Sequence, residues 1–541
     1  MKTDRPNILL LFADQFRFDA ISCVGNTEVR TPHLDNLARS GVRFTNAFTP
    51  TPVCVAARMS LITGQRASRT GVPANTRLPG YYDELPTIMT LLGAAGYRTH
   101  GVGKMHFSGR HYGFHALESM EECPGVRVDD DYLMYLRTKG IRTRYPHGQR
   151  DLLYFQPQTS AIPVEHSPNN WVADRSIEFL KEHRRHRGTQ PFFLWSSWIS
   201  PHPPFAPCEP YASMYDPAEM SLPFFTDRPI STLPARGNRA RLDGAHLDPD
   251  RMRRIKALYY GLVSHVDDSV GRILQALDEL GQSDNTVVIF ASDHGEMLGN
   301  HGLSQKNVPY EHSIRIPFIM RWPGRTHAGT ESSDLVSLLD VMPTLIHGLG
   351  LGYPTNGPTP AGESLIAKEG GGPGTDRDAI FIDYGEGPAR WIAMRSKRHL
   401  YALWSAGGYE ELYDIHADPE ERHNLVQEFP ELCGRMRERV LDWERVHGFS
   451  SSFDRLGFRT FPLPEAGEEH PRAVVRNMGR WPENLPPDEA DTVESFAESF
   501  TSAIRYESTL APEKLSVELY KKKGGDLRGT PWEEAWLNCS G

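Results

Sequence analysis

The sequence is poor in cysteine and contains no long apolar run. Six cysteines occur among 541 residues, and none forms a CxxC pair, so neither a disulfide framework nor a cysteine-bound structural zinc is expected. The longest tempting uncharged stretch, residues 189–208, contains five prolines, which a membrane-spanning helix would not accommodate. No transmembrane segment is therefore predicted.

Basic residues are not in excess over acidic ones either. The 59 Lys and Arg residues against 69 Asp and Glu residues give a formal net charge of −10, which argues against nucleic acid or an anionic membrane as the main partner. The apolar run at residues 7–13 is too short for a signal-peptide core, and no cleavage site of small residues follows it. For the sequence as it stands, these features predict a cytoplasmic location.

The chain does contain a regular alternation of strand and helix patterns. Residues 7–13 (NILLLFA) form a continuous apolar run that ends at Asp14, and residues 286–292 (TVVIFAS) lead directly into Asp293 and His294. Such runs are typical of buried parallel strands, with polar residues delivered to one edge of the sheet. Together with helical patterns between the strands, they predict an α/β fold with a mixed, largely parallel sheet sandwiched by helices.

A stretch rich in glycine and proline, residues 348–374, divides the pattern into two parts. It predicts a catalytic domain over residues 1–375 and a smaller C-terminal α+β subdomain with an extended tail over residues 376–541. Short strand patterns near 379–383, 391–395, 399–403 and 411–414 predict an antiparallel sheet. The tail after residue 450 is expected to wrap around the protein or to contact another subunit, and a homo-oligomer is left open.

Polar residues cluster where several predicted strands end or helices begin. The clusters are Asp14 with Gln15, Cys54 with Arg58, Lys104 with His106, and Asp293 with His294 and the later Lys306. Taken singly, each has an ordinary structural explanation, such as a helix cap, a buried thiol or a solvated strand end. Taken together, hard-oxygen carboxylates, a candidate nucleophile and several cations are what hydrolysis of an anionic ester requires.

The order of these clusters resembles that of a known family. Residues 54–58 (CVAAR) followed by 60–64 (SLITG) resemble the signature of the formylglycine-dependent (type I) sulfatases of the alkaline phosphatase superfamily. Further segments match in order, namely NILLLFAD at 7–14, TPHLD at 31–35, GKMH at 103–106, PHP at 201–203 and SDHGEMLG at 292–299. The resemblance implies an alkaline-phosphatase-like fold and a sulfuric ester hydrolase of the arylsulfatase or carbohydrate sulfatase kind.

The resemblance also implies a role for each matching residue. Cys54 would be oxidised to formylglycine by a maturation enzyme, and its hydrate would supply the nucleophilic oxygen. Arg58 would stabilise the resulting alkoxide. Lys104 and Lys306 would neutralise the sulfate oxygens. His106 would act as the base that eliminates sulfate, and His202, with Lys306, would protonate the leaving alcohol of a small-molecule or saccharide sulfate ester.

The resemblance places one divalent metal ion on Asp14, Gln15, Cys54, Asp293 and His294. Calcium is the family's usual ion, but many sulfatases have aspartate at the position of Gln15 and asparagine at that of His294. The nitrogen donor favours Mn²⁺ or another transition metal, and the same variation resembles phosphonate monoester hydrolases. A phosphonate monoester or phosphodiester hydrolase and a non-catalytic binding relative are therefore the alternative functions.

Overall fold

The structure is a computed structural model. It describes residues 5–75, 85–107, 110–122, 130–141, 143, 146–148, 157–188, 190–224, 249–355, 357–366, 374–463 and 504–506. No helix within these ranges is both long enough and apolar enough to cross a lipid bilayer.

Eight of the strands build a central sheet. In chain order they are β1 (Asn7–Asp14), β2 (Val42–Phe48), β3 (Arg98–Gly103), β4 (Ala116–Ser119), β6 (Phe192–Pro201), β7 (Thr286–Ser292), β8 (Phe318–Arg321) and β9 (Thr330–Ser337), and a short strand β5 (Gln158–Ser160) lies outside this sheet. The spatial order is β4-β3-β6-β1-β7-β8-β2-β9. Only β8 runs antiparallel to its neighbours, so the predicted mixed, largely parallel sheet is confirmed.

Strand β1 lies between β6 and β7 and is parallel to both. Its side chains alternate between two hydrophobic cores, with Leu9 and Leu11 in one and Leu10 and Phe12 in the other. Both faces of the sheet are therefore covered by helices, which explains why the strand sequence is apolar throughout rather than alternating. The helices of the first part of the chain are α1 (Pro32–Ser40), α2 (Cys54–Thr63), α3 (Ala67–Thr70), α4 (Ile88–Ala94), α5 (Asp131–Thr138), α6 (Pro168–Arg187), α7 (Pro249–Glu279), α8 (Glu311–Ile314) and α9 (Val341–Gly348).

A second, antiparallel sheet follows in the C-terminal part. It contains β10 (Ala379–Tyr384), β11 (Trp391–Ser396), β12 (His399–Trp404) and β13 (Glu410–Asp414) in sequential order. One face packs on helix α10 (Pro430–His447), and the other packs on residues of the first part that include Phe48 and Tyr310. The predicted antiparallel sheet is confirmed, while the boundary at residue 375 stays a prediction.

The last described segments are small. Strands β14 (Phe453–Asp454) and β15 (Gly457–Phe458) form a hairpin, and β16 (Ile504–Tyr506) pairs antiparallel with β5. This pairing brings one piece of the tail back to the first part of the chain. Apart from it, the predicted tail beyond residue 463 lies outside the described residues.

Candidate active site

The carboxyl ends of β1 and β7 bring two aspartates together. Ala13 pairs with Ser292 in the parallel ladder, so the residues that follow, Asp14 and Asp293, emerge side by side at one edge of the sheet. His294 comes next in the chain, and Cys54 begins α2. One ligand atom from each of Asp14, Cys54, Asp293 and His294 lies within 4.8 Å of the others, and all four residues are buried.

Cys54 occupies the first position of helix α2. Its Sγ lies 3.7 Å from Asp14 Oδ1 and 3.2 Å from His294 Nε2, and the residue is fully buried. The amino-terminal end of a helix carries partial positive charge, which favours an anion at this position. Position 54 can therefore hold a negatively charged oxygen next to the aspartates.

Arg58, one helical turn further along, fixes both aspartates. Its Nε donates to Asp293 Oδ2 at 2.9 Å, and its Nη2 lies 3.5 Å from Asp14 Oδ2. Its Nη1 donates to the Lys104 carbonyl oxygen at 2.5 Å and to Ser197 Oγ at 3.0 Å. Four oxygen atoms thus hold the guanidinium in place. Its role in stabilising an alkoxide at residue 54 stays a prediction.

Both aspartates are ionised although they are buried. Burial and the neighbouring Asp293 raise the pKa of Asp14, but the positive charges around it, that of Lys104 first and that of Arg58 as well, lower it more, and the net shift is downward. Burial also raises the pKa of Asp293, which the adjacent histidine, Arg58 and Lys104 nevertheless bring below its ordinary value. Two adjacent buried carboxylates of this kind are stable only among cations.

Gln15 adopts a left-handed backbone conformation with φ of 63°, which is uncommon for a residue other than glycine. Its Oε1 accepts a hydrogen bond from Lys306 Nζ at 2.5 Å, and its Nε2 donates to the buried Glu296. An amide oxygen has a second lone pair. Oε1 can therefore bind a metal ion through its second lone pair while it accepts the hydrogen bond from Lys306. Metal ligation by Gln15 stays a prediction.

The predicted sulfate-binding residues lie next to Asp14 and Gln15. Lys104 Nζ contacts Asp14 and lies 2.5 Å from Glu122 Oε2. His202 Nδ1 is 2.6 Å from the carbonyl oxygen of the following proline, so Nδ1 carries the proton, and Nε2 accepts from Lys306 Nζ at 3.0 Å. Burial, the largest effect, holds the pKa of His202 well below its ordinary value.

His106 belongs to the same group. Its backbone has a φ of 62°, its N–H donates to Glu121 Oε1 at 2.8 Å, and within the described ranges its buried Nδ1 has no hydrogen-bond partner. Burial and the charge of Lys104 lower the pKa of His106, against the opposite effect of Glu122. The imidazole is therefore neutral and able to accept a proton.

Two acidic residues at the site, Glu121 and Glu122, were not predicted from the sequence. They follow strand β4, whose carboxyl end lies at the same edge of the sheet as that of β3, because the two strands are parallel and Gly103 pairs with Ser119. The strand sequence ALES is half-buried and short, so no apolar run marked it. The available signal was a pair of carboxylates shortly after the Lys104 segment.

The four ligand groups fit a divalent metal ion. Two ionised carboxylates, one imidazole and a sulfur or oxygen group at residue 54 are donors that such ions accept. The donors are buried, close together and already held in place by Arg58, Lys104 and backbone N–H groups. No rearrangement of the strands is needed to bring them around one ion.

Comparison with known proteins gives a consistent result over most of the chain. A family model described as Sulfatase matches residues 6–351, and a model described as N-sulphoglucosamine sulphohydrolase, C-terminal, matches residues 299–445. An arylsulfatase of Clostridium perfringens is 31% identical over 462 residues, which cover 80% of this chain and 93% of that protein. A multifunctional alkaline phosphatase superfamily protein, PehA of Trinickia caryophylli, is 29% identical and covers 82% of this chain and 96% of its own length.

Among solved structures, the phosphonate monoester hydrolase of Agrobacterium radiobacter is similar to this chain, with a TM-score of 0.68 and 26% sequence identity. The match covers 84% of this chain and 100% of that structure.

Proposed function

The chain belongs to the sulfatase family, and we propose that it hydrolyses an organic sulfate monoester at the site around Cys54, by cleavage of the S–O bond. One observation carries the proposal: the Cys54 sulfur lies at the start of a helix within 3.7 Å of Asp14 Oδ1. The cations predicted to receive the sulfate, Lys104 and Lys306, lie around the same aspartate and its neighbour.

Conversion of Cys54 to formylglycine is part of the proposal. Its hydrate offers one hydroxyl to attack sulfur and a second whose later deprotonation expels sulfate and restores the aldehyde. Arg58 is held by both aspartates, so it can stabilise negative charge on the attacking oxygen without moving. Conversion requires a maturation enzyme, and the alanine at position 56 suits the oxygen-independent radical type.

The reaction needs two proton transfers, and each is assigned to a different histidine. His202 is neutral and its Nε2 accepts from Lys306, so the proton for the oxygen of the departing alcohol would come from the Lys306 ammonium and pass through His202 Nε2. His106, neutral because of burial and Lys104, accepts the proton of the second hydroxyl. Each transfer by a positioned side chain contributes about 10²–10⁴-fold to the rate.

One divalent metal ion would be held by Asp14, Asp293, His294 and residue 54, with Gln15 as a further ligand. When bound, it supplies Lewis-acid polarisation of the ester. We propose Ca²⁺ first, as the usual ion of the family, with Mn²⁺ or another transition metal as the alternative, because His294 brings a nitrogen donor.

A phosphonate monoester or phosphodiester hydrolase is the second candidate. The combination of Gln15 and His294 favours it, and the similarity to a phosphonate monoester hydrolase structure supports it. Against it, Lys104 and His106 match the sulfatase pattern.

Paired aryl substrates test the proposal. Purified protein, with conversion of Cys54 measured by mass spectrometry of the peptide over residues 47–58, is assayed on an aryl sulfate and an aryl phosphonate monoester. We expect the larger kcat/KM on the sulfate. A much larger value on the phosphonate would overturn the proposed function in favour of the second candidate. An unmodified Cys54 in protein from the native host would favour a non-catalytic relative.

A further inference from the structure

Glu122 lies among the cations that are assigned to the sulfate. Its Oε2 is 2.5 Å from Lys104 Nζ and 3.3 Å from His202 Nε2. Its side chain is only 9% exposed, so water screens its charge weakly. A carboxylate oxygen therefore occupies a position between two of the three groups that would contact the oxygens of the substrate.

Glu122 completes a continuous chain of polar contacts around the aspartates. Asp14 contacts Lys104, and Lys104 contacts Glu122. Glu122 contacts His202, His202 contacts Lys306, and Lys306 contacts Gln15, the neighbour of Asp14. The contacts form a closed ring, because Asp14 and Gln15 are consecutive in the chain.

The contacts limit how much positive charge Lys104 and His202 leave for a substrate, and Lys306, which contacts the neutral Gln15 and His202, adds one further positive charge. The single charge of Lys104 is shared between two carboxylates, those of Asp14 and Glu122. His202 adds none while it is neutral, and burial disfavours its charged form. An ester group that carries one negative charge can be accommodated there, whereas a second negative charge would lie close to the buried Glu122 carboxylate and be repelled by it.

We propose that Glu122 is a specificity-determining residue, whose carboxylate beside Lys104 and His202 makes the site select singly charged esters over doubly charged ones. Sulfate monoesters and phosphonate monoesters carry one negative charge, and phosphate monoesters carry two near neutral pH. The proposal rests on the proposed function, because the substrate must approach Lys104, His202 and Lys306. It adds that Glu122 sets the charge of the accepted group, whether sulfur or phosphorus lies at its centre.

The test compares two tetrahedral oxyanions of similar shape and different charge. Perchlorate carries one negative charge and sulfate carries two. Competitive inhibition constants are measured for both with the wild-type protein and with Glu122→Gln, after conversion of Cys54 and metal loading have been matched. We expect the inhibition constant of sulfate to be about tenfold lower in Glu122→Gln than in the wild type, the same free-energy difference as a shift of one pKa unit. The inhibition constant of perchlorate should stay within about twofold of the wild-type value.

The corresponding substrates are 4-nitrophenyl phosphate and 4-nitrophenyl sulfate. Glu122→Gln should raise kcat/KM for the phosphate relative to the sulfate by about tenfold. Glu122→Asp keeps the charge and should retain the wild-type preference. Glu118→Gln is the matched control, because Glu118 lies on β4 and pairs with His100 and Arg175 instead of the site residues; it should leave both ratios unchanged.

The proposal would be overturned if the ratio of the sulfate and perchlorate inhibition constants in Glu122→Gln stayed within about twofold of the wild-type ratio. Glu122→Ser serves as a second neutral variant, and thermal unfolding shows which neutral variant is folded. Failure of the proposed function gives a different result. If the wild-type protein cleaves only the phosphonate ester, the inhibition constants are measured against that substrate, and the charge preference is tested independently of sulfatase activity.

Discussion

Arg58 Nε lies 2.9 Å from Asp293 Oδ2, and both side chains are completely buried. The same guanidinium is 3.5 Å from Asp14. A single arginine thus compensates two adjacent carboxylates that burial would otherwise disfavour. Because the three groups come from β1, α2 and the loop after β7, the ion pairs also fix the start of α2, where Cys54 lies.

Substitution of Arg58 by alanine should therefore lower both stability and activity. Removing one partner of a buried ion pair costs about 3–5 kcal/mol. Here Asp293 would lose its guanidinium partner, and Asp14 would keep only Lys104 as an ion-pair partner among the lysines and arginines of the described residues. We expect the free energy of unfolding of the metal-free protein to fall by this amount, and kcat/KM of the folded protein to fall by about 10²–10³-fold. Denaturant titration and steady-state kinetics measure the two effects.

Arg390 provides the matched control for this substitution. It is equally buried and is paired with Asp383 at 2.6 Å and Glu444 at 2.5 Å in the C-terminal part. Arg390→Ala should lose similar stability and keep the kcat/KM of its folded fraction. Equal losses of kcat/KM in both variants would mean that Arg58 acts only through stability.

The strands that carry the aspartates were predictable because burial on both faces leaves a continuous apolar run. The prediction for residues 7–13 ends one residue before β1 does, and residues 286–292 match β7. Apolar residues recur at helical spacing over residues 250–280, which predicts a helix there, and α7 begins and ends one residue earlier. Strand β4 was missed, since its four residues are all only partly buried, and Glu122 was missed with it.

Other features of the site depend on tertiary contacts that no local pattern reports. Gln15 and His106 have positive φ angles, which the sequence gives no reason to expect of residues other than glycine. Gln15 is held by Lys306 and Glu296, which come from distant parts of the chain. Such backbone conformations persist where the surroundings determine them, and they are common at functional sites.

The metal preference should respond to the two unusual ligand positions. In the double variant Gln15→Asp with His294→Asn, an oxygen replaces the imidazole nitrogen and one negative charge is added, and both changes favour Ca²⁺ over Mn²⁺. We expect the stabilisation by Ca²⁺, relative to that by Mn²⁺, to be larger in the variant than in the wild type. Thermal unfolding of chelator-treated protein with each added ion measures this. An unchanged or reversed order would show that residues 15 and 294 do not select the metal.

The acidic limit of activity should reflect His106. Its pKa is lowered by burial and by Lys104, so the neutral form that accepts a proton persists to a lower pH than for an ordinary histidine. We expect kcat to be constant from neutral pH down through about 6.5, the ordinary histidine value, and to fall only below it. A pH–rate profile measures the limit. A half-maximal point at or above 6.5 would contradict the assignment of His106 as the base.

The dependence on the leaving group should identify the acid. A general acid accelerates departure of poor leaving groups most, because an alkoxide of high pKa gains more from protonation than a 4-nitrophenolate does. His202→Ala should therefore lower kcat/KM for phenyl sulfate or an alkyl sulfate by about 10²–10⁴-fold, and that for 4-nitrophenyl sulfate much less. A series of aryl sulfates gives the slope of log kcat/KM against leaving-group pKa, which should become steeper in the variant.

His183→Ala is the control for loss of a buried histidine. His183 is buried at the end of α6, where its Nε2 contacts the Gln190 carbonyl oxygen at 2.8 Å, and it takes no part in the site. Its removal should leave the slope at the wild-type value even if the protein becomes less stable. If His202→Ala lowered all substrates by one common factor, the slope would be unchanged. His202 would then bind the sulfate group through Lys306 and would not transfer a proton to the alcohol.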